Sequence, residues 1–247
     1  MSERFLRALE LPPVHWSQEQ ERSEHYAFRL PFVAQLRDGI SLDADVTFLV
    51  GENGSGKSTL IEALAHALRL NTEGGSSGLR FSTRFEEPVL GRDLRVVRGA
   101  RRPHTDFFLR AESFFNAASA IDENADLAYY GGRSLHEQSH GESFLSLVLN
   151  RFGPDGLYLL DEPEAALSPQ NQLALLRRMR QLAGDGCQFV VATHSPLLLA
   201  YPGATIYELS ESGIEPIGFD AAEPVRLTRA FLQAPERLLA QLLDDDA

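Results

Sequence analysis

Three short apolar runs, each cut off by small or polar residues, frame the chain. Val46-Thr47-Phe48-Leu49-Val50 stops at a glycine, Leu157-Tyr158-Leu159-Leu160 at two acids, and Gln188-Phe189-Val190-Val191-Ala192 at Thr193-His194-Ser195. Runs of this length without alternation predict strands covered on both faces. Helical patterns lie between them: one from Thr59 to about Leu70, one from Ser139 to Arg151, and one starting at Ser168-Pro169 and running to about Leu182. Serine at the cap and proline at the first helical position are strong start signals. Shorter patterns predict strands over Tyr26–Leu30, Ile40–Leu42, Asp93–Val97, Thr105–Leu109, Thr205–Leu209 and Gly213–Ile217. They also predict a helix over Ala111–Tyr130 and a C-terminal helical pair over Val225–Leu243, broken at Pro235. Residues 1–25 carry no periodicity, and Pro12-Pro13 breaks them. Strands alternating with helices predict an α/β fold with a mostly parallel central sheet flanked by helices, and a small β-rich N-terminal or inserted part.

The first apolar run leads into Gly51-Glu52-Asn53-Gly54-Ser55-Gly56-Lys57-Ser58, which reads G-x-x-x-x-G-K-S. Strand before and helix after are the context in which this P-loop motif cradles phosphate. Glycines let backbone N–H groups close on phosphate oxygens, and the helix N-terminus adds partial positive charge. Asn53, Gly54, Ser55, Gly56, Lys57, Ser58 and Thr59 are therefore candidate ATP-binding residues. Lys57 would reach the β- and γ-phosphates, and the Ser58 hydroxyl would hold Mg²⁺. Lys57 is the one lysine of the chain. A chain that uses arginine elsewhere and keeps lysine here points to a need for a compact ammonium.

The second run ends in Asp161-Glu162-Pro163. An acid at a strand's carboxyl end about a hundred residues after a P-loop reads as the metal carboxylate, so Asp161 would hold Mg²⁺. Glu162 would orient or deprotonate the attacking water. His194 closes the third run. A histidine after a strand is commonly a surface or capping residue, but at this place it reads as a donor to the γ-phosphate.

The net charge of −12 argues against a generic nucleic-acid coat. Residues 80–110 depart from the acidic background, with eight arginines (Arg80, Arg84, Arg92, Arg95, Arg98, Arg101, Arg102, Arg110) against Glu86, Glu87, Asp93 and Asp106. They read as a small β-rich part inserted after the P-loop helix. Its arginines serve either internal ion pairs or a docking face for nucleic acid or another acidic partner. The lone cysteine, Cys187, allows no internal disulfide and reads as a small core residue in a cytoplasmic protein. No apolar run is long enough to insert in a membrane. Trp16 could stack on an adenine base but reads better as a cover on the core.

Together, GENGSGKST at 51–59, LYLLDEPEAALSP at 157–169 and ATHSP at 192–196 resemble the ABC-type P-loop ATPases. The resemblance covers about residues 26–210. It implies that Ser139, Gly141 and Glu142, in Glu137-Gln138-Ser139-His140-Gly141-Glu142-Ser143, stand for the family's signature Ser, second Gly and Gln. It further implies that Ala165–Ser168 touches a partner subunit, and that ATP closes a head-to-tail homodimer with each nucleotide shared between two copies. The L-S-G-G-Q form is absent, and Arg110-Ala111-Glu112-Ser113 stands where a transporter ATPase carries its glutamine loop. These features favour the small soluble prokaryotic AAA/ABC-type ATPases, related to DNA-repair and chromosome-maintenance heads. The expectation is one ABC-type ATPase domain over 1–247, with 71–150 forming the inserted Arg-rich part and a helical signature subdomain. ATP hydrolysis would drive a change in a protein partner, in DNA repair or defence; the alternatives are an ABC transporter's ATP-binding subunit and a non-hydrolysing nucleic-acid module.

Overall fold

The computed structural model describes residues 4–14, 19, 22, 24–72, 74–76, 88–114 and 139–243. Trp16, the glycine- and serine-rich stretch beyond Ser76, Arg80, Arg84, Glu86, Glu87, most of the helix expected over 111–130, the loop at 131–133 and Glu137-Gln138 lie outside them.

The elements in chain order begin with β1 (Leu6–Glu10), a 3-10 turn at Tyr26–Arg29, α1 (Val33–Leu36), β2 (Ile40–Ser41), β3 (Val46–Val50) and α2 (Lys57–Ala67). Then come α3 (Val89–Asp93), β4 (Arg95–Arg98), β5 (Thr105–Arg110), α4 (His140–Arg151) and β6 (Gly156–Asp161). A 3-10 turn at Pro163–Ala166 leads to α5 (Pro169–Gly184), β7 (Gln188–Ala192), α6 (Pro196–Leu199), β8 (Thr205–Ser210) and β9 (Gly213–Ile217). The chain closes with α7 (Glu223–Gln233) and α8 (Pro235–Leu243).

The main sheet has the order β5-β6-β7-β3-β8-β9. Every neighbouring pair in it is parallel except β8–β9. The expected α/β fold with a mostly parallel sheet is therefore present, closed on one edge by a hairpin. The three long apolar runs occupy β3, β6 and β7, and every residue of those strands is buried. Their alternate residues face two different cores. Val46, Phe48, Tyr158, Leu160, Phe189 and Val191 pack with residues of α4 and α5 on one face. Leu49, Leu157, Leu159 and Val190 pack with Leu60, Ile61 and Leu64 of α2 on the other. Burial of each such side chain contributes about 1.5–3 kcal/mol, which is why unbroken apolar runs, and not alternating ones, mark these strands.

A second, three-stranded antiparallel sheet, β2-β1-β4, lies against the α2 face. It is the small β-rich N-terminal and inserted part anticipated from sequence, but its membership differs from expectation. The strand at Thr105–Arg110 does not pair with β4; it joins the main sheet beside β6. Its Phe107, Phe108 and Leu109 are buried, which a central sheet can provide and a small exposed ribbon cannot. Gln188 of β7 fastens the two sheets. Its buried amide accepts from Leu6 N (2.8 Å) and donates to the carbonyls of Leu6 (3.0 Å) and Leu42 (2.6 Å).

Other local expectations fail for local reasons. Tyr26–Arg29 is a 3-10 turn and not a strand, because the His25 side chain accepts from Ala27 N and leaves Tyr26 exposed. The P-loop helix ends at Ala67, short of Leu70, where Arg69 takes a positive φ. Leu6–Glu10, expected to be irregular, is a strand because β2 and β4 supply partners on both sides.

Candidate active site

Because β3, β5, β6 and β7 run parallel, their carboxyl ends lie in one row. The register fixes the row closely: Arg110 of β5 is opposite Asp161 of β6, Asp161 is opposite Ala192 of β7, and Ala192 is opposite Leu49 of β3. In that row or within two residues of it, each strand delivers a candidate group or the loop that bears it.

The P-loop geometry depends on glycine at two places. Gly51 has φ +148°, and a Cβ there would collide with the Leu209 carbonyl of β8. Gly56, at φ +96°, caps α2, and its Cβ would fall 2.6 Å from Phe32 and 2.9 Å from Leu30. Lys57 is buried, and its Nζ donates to the carbonyls of Gly51 and Glu52, each at 2.9 Å. Burial depresses its pKa, opposed by the charges of Glu162, Asp161 and Glu164. Ser55 Oγ is buried without a hydrogen-bond partner among the described residues. A cradle too tight for a Cβ, an orphaned hydroxyl and a buried ammonium suit the phosphates of ATP.

Ser58, one residue further along α2, donates to Asp161 Oδ1 at 3.3 Å. Asp161 is 2% exposed, and burial pushes its carboxyl up to about 7, with the charge of Arg110 working against that rise. Arg110 Nε lies 3.4 Å from Asp161 Oδ2. Two hard oxygens this close fit Mg²⁺, which takes few protein ligands and completes its shell with water and phosphate. Among the described residues no cluster of three or more His, Cys, Asp or Glu side chains could hold a metal by itself.

Glu162 adopts the left-handed conformation (φ 49°, ψ 50°), uncommon for a side-chain-bearing residue and costing roughly 1–2 kcal/mol. Its N–H donates to Ala192 O at 2.9 Å. This turn separates the neighbouring acids: Asp161 stays in the sheet, while Glu162 projects half-exposed toward His194, whose Nε2 is 3.8 Å from Glu162 Oε1. Nε2 is buried and has no hydrogen-bond partner among the described residues.

A cavity of about 490 Å³ is lined in part by Ser58, Arg110, Asp161, Glu162 and His140. His140 begins α4, whose cap is Ser139. Glu142 N donates to Ser139 Oγ at 3.4 Å and Ser139 N donates to Glu142 Oε2 at 3.0 Å, a closed capping box, and Ser139 Oγ also donates to Glu142 Oε2 at 2.6 Å. The two bonds that the carboxylate accepts from the Ser139 hydroxyl and N–H hold the Glu142 carboxyl below its usual range. Ser139, Gly141 and Glu142 do not line the cavity. Gly141 packs on the loop after β6, and a Cβ there would lie 3.1 Å from Ala166 O.

Two polar residues near the site escaped the sequence. Glu164 accepts from Thr193 Oγ1 (2.7 Å) and His194 N (2.5 Å), tying the β6 loop to the β7 loop. Gln172 accepts from Ser195 Oγ at 2.6 Å and donates to Leu167 O at 3.1 Å. Spacing alone could flag Glu164, two residues past Glu162, but its partners lie about thirty residues on. Of the arginine-rich stretch, Arg95 pairs with Glu10, Arg101 with Asp155, and Arg110 with Glu62 and Glu112.

A family profile described as "AAA domain, putative AbiEii toxin, Type IV TA system" matches residues 46–112 and 130–200, more than half of the chain. The chain belongs to this family of ABC-type P-loop ATPases. Both profile segments include candidate residues: the P-loop lies in the first, and Ser139, Asp161, Glu162 and His194 in the second. The hemin import ATP-binding protein HmuV of Streptomyces coelicolor is 32% identical over 66% of this chain and 65% of its own length. The HmuV protein of Rhizobium meliloti is 30% identical over 65% of this chain and 71% of its own. A ribose import ATP-binding protein, RbsA of Hahella chejuensis, is 30% identical over 69% of this chain but 38% of its own length. The chain thus spans about two thirds or less of the first and third of these relatives. Among solved structures, cbiO1 of Clostridium perfringens, part of the transporter complex cbiONQ, aligns with a TM-score of 0.49 at 14% identity, covering 95% of this chain and 98% of that one. The SMC head domain of Thermotoga maritima aligns with a TM-score of 0.42 at 17% identity, covering 73% and 93%.

Proposed function

We propose that the chain, acting as one ATPase domain, binds ATP with Mg²⁺ and hydrolyses it in a head-to-tail homodimer. The observation that carries this reading is the row of Lys57, Ser58, Asp161, Glu162 and His194 at the carboxyl ends of adjacent parallel strands. In it, Lys57 and the loop N–H groups hold the β- and γ-phosphates. Ser58 and Asp161 hold Mg²⁺, which supplies charge neutralisation at the phosphates when bound. Glu162 accepts a proton from the attacking water, and His194 Nε2 donates to the γ-phosphate. Ser139, Gly141 and Glu142, outside the chain's own cavity, serve the nucleotide of a second copy.

The load is a membrane import machine in this proposal. The relatives support it: the three named above are import ATP-binding proteins, and none of them is a DNA-repair protein by name. The comparisons therefore favour the transporter alternative over the repair or defence reading drawn from the signature and the missing glutamine loop. No helix among the described residues is long and apolar enough to cross a membrane, so attachment to one would go through a partner.

Phosphate release and light scattering of purified protein with Mg²⁺ and ATP test the first part. Turnover in the unmodified protein and an ATP-dependent dimer in Glu162→Gln are expected. A Glu162→Gln protein that stays monomeric with ATP bound rules out the shared-nucleotide dimer. Co-purification from membranes with a permease-type protein tests the second part, and a chain recovered without one under ATP-trapped conditions rules it out.

A further inference from the structure

Arg110 has no role in the reading above, yet its Nε lies 3.4 Å from the metal carboxylate, Asp161. Its Cα is in register with Asp161, so the parallel pairing carries both side chains to the same edge of the sheet. The guanidinium is spread over three acids. Nε faces Asp161 Oδ2 at 3.4 Å, Nη1 pairs with Glu62, and Nη2 lies 2.8 Å from Glu112 Oε2. Glu62 is on α2, one helical turn past Ser58, so this arm anchors Arg110 to the helix that begins at the phosphate cradle.

The arms are unequal. Glu62 is 27% exposed and Glu112 70% exposed. An exposed ion pair contributes about 0–1 kcal/mol and is easily exchanged, while a half-buried, doubly anchored guanidinium is not. The planar fork of arginine suits a phosphate as well as a carboxylate. Arg110 also shares a cavity wall with Ser58, Asp161 and Glu162, the residues assigned to Mg²⁺ and the attacking water.

We propose that Arg110 is a γ-phosphate-contacting residue, which keeps its Glu62 anchor and exchanges Glu112 for a γ-phosphate oxygen when ATP binds. This rests on the ATPase reading and deepens it: the residue distinguishes ATP from ADP, because ADP lacks the group it would meet. Ala111-Glu112, released by that exchange, would then report the nucleotide state to the chain that follows.

The test is nucleotide affinity, measured by titration calorimetry in a Glu162→Gln background, so that turnover does not enter. Arg110→Gln is expected to weaken ATP about tenfold or more, the worth of one charge-assisted contact, while ADP changes by less than about twofold. Arg110→Lys should recover part of the ATP affinity, and Glu112→Gln should leave it unchanged or tighten it. Equal weakening of ATP and ADP, no change in either, or tighter ATP binding by Arg110→Gln would overturn the assignment. Retained ADP binding certifies the fold of the variant; if Arg110→Gln does not fold, Arg110→Lys and Glu112→Gln decide, and weaker ATP binding by Glu112→Gln counts against the exchange. A parent protein that binds neither nucleotide would refute the ATPase reading itself, whereas intact binding without ATP–ADP discrimination refutes only the role of Arg110.

Discussion

Glu164 Oε1 accepts the backbone N–H of His194 at 2.5 Å, while its other oxygen accepts the Thr193 hydroxyl at 2.7 Å. One carboxylate therefore fixes the turn from which the imidazole reaches toward Glu162. Removing it with Glu164→Ala should let that turn drift and lower kcat about tenfold or more, with the affinity for ATP nearly unchanged. Glu164→Gln, which keeps an acceptor, should recover part of the rate. Single-turnover kinetics, with the ¹⁵N chemical shift of the His194 ring as a geometric reporter, check this. Wild-type kcat in Glu164→Ala would dismiss the positioning role.

Lys57 holds a buried ammonium between two backbone carbonyls, and burial lowers its pKa. Below its lowered folded value the group is charged both folded and unfolded, and the penalty for burying it is fully present. The penalty fades only as the pH rises through the lowered folded value toward the ordinary 10.5. Lys57→Met should abolish ATP binding and also raise the melting temperature of the nucleotide-free protein, by roughly 2–4 °C per kcal/mol of relieved penalty. Calorimetric melting with and without ATP checks both effects, and a lowered melting temperature would contradict the second.

Asp161 carries the opposite sign. Burial raises its carboxyl to about 7 from 3.8, so the nucleotide-free fold is favoured at low pH, where the group is neutral. This contribution is lost as the pH climbs from about 4 to about 7. Mg²⁺ requires the ionised form, so Mg²⁺ affinity should drop up to about tenfold per pH unit below 7, with a proton released on binding. Titrations in buffers of different ionisation enthalpy measure that proton. Asp161→Asn should melt higher than the parent at pH 8 and bind Mg²⁺ weakly at any pH.

Two P-loop glycines separate backbone strain from crowding. Gly54 (φ +84°) has open space around a hypothetical Cβ, whereas at Gly56 (φ +96°) the Cβ would meet Phe32 and Leu30. Gly54→Ala should cost about 1–2 kcal/mol from conformation alone. Gly56→Ala should cost about 1–3 kcal/mol more, since the crowding is against the fully buried Phe32 and the partly buried Leu30. Urea unfolding compares them, and equal losses would remove the crowding argument.

The P-loop, the acids at 161–162, His194 and the Ser168-Pro169 helix start were legible in the sequence because each is written in consecutive residues. An apolar run, a turn and a cap carry their own local physics, and parallel pairing then aligns them without further instruction. What joins distant segments was not legible. Leu6–Glu10 becomes a strand only because Arg95–Arg98 pairs with it and Gln188 fastens it to β7. Tyr26–Arg29 loses its alternating pattern to a single histidine cap. Thr105–Arg110 went to the main sheet and not to an inserted ribbon, since three adjacent apolar residues needed cover on both faces. That choice alone brought Arg110 opposite Asp161, just as the left-handed turn at Glu162 brought Glu164 beneath His194. The sequence determined which groups the chain carries and which strand ends bear them. The tertiary structure decided which of them touch, because register and loop closure are set by packing over a hundred residues and not by any neighbour in the chain.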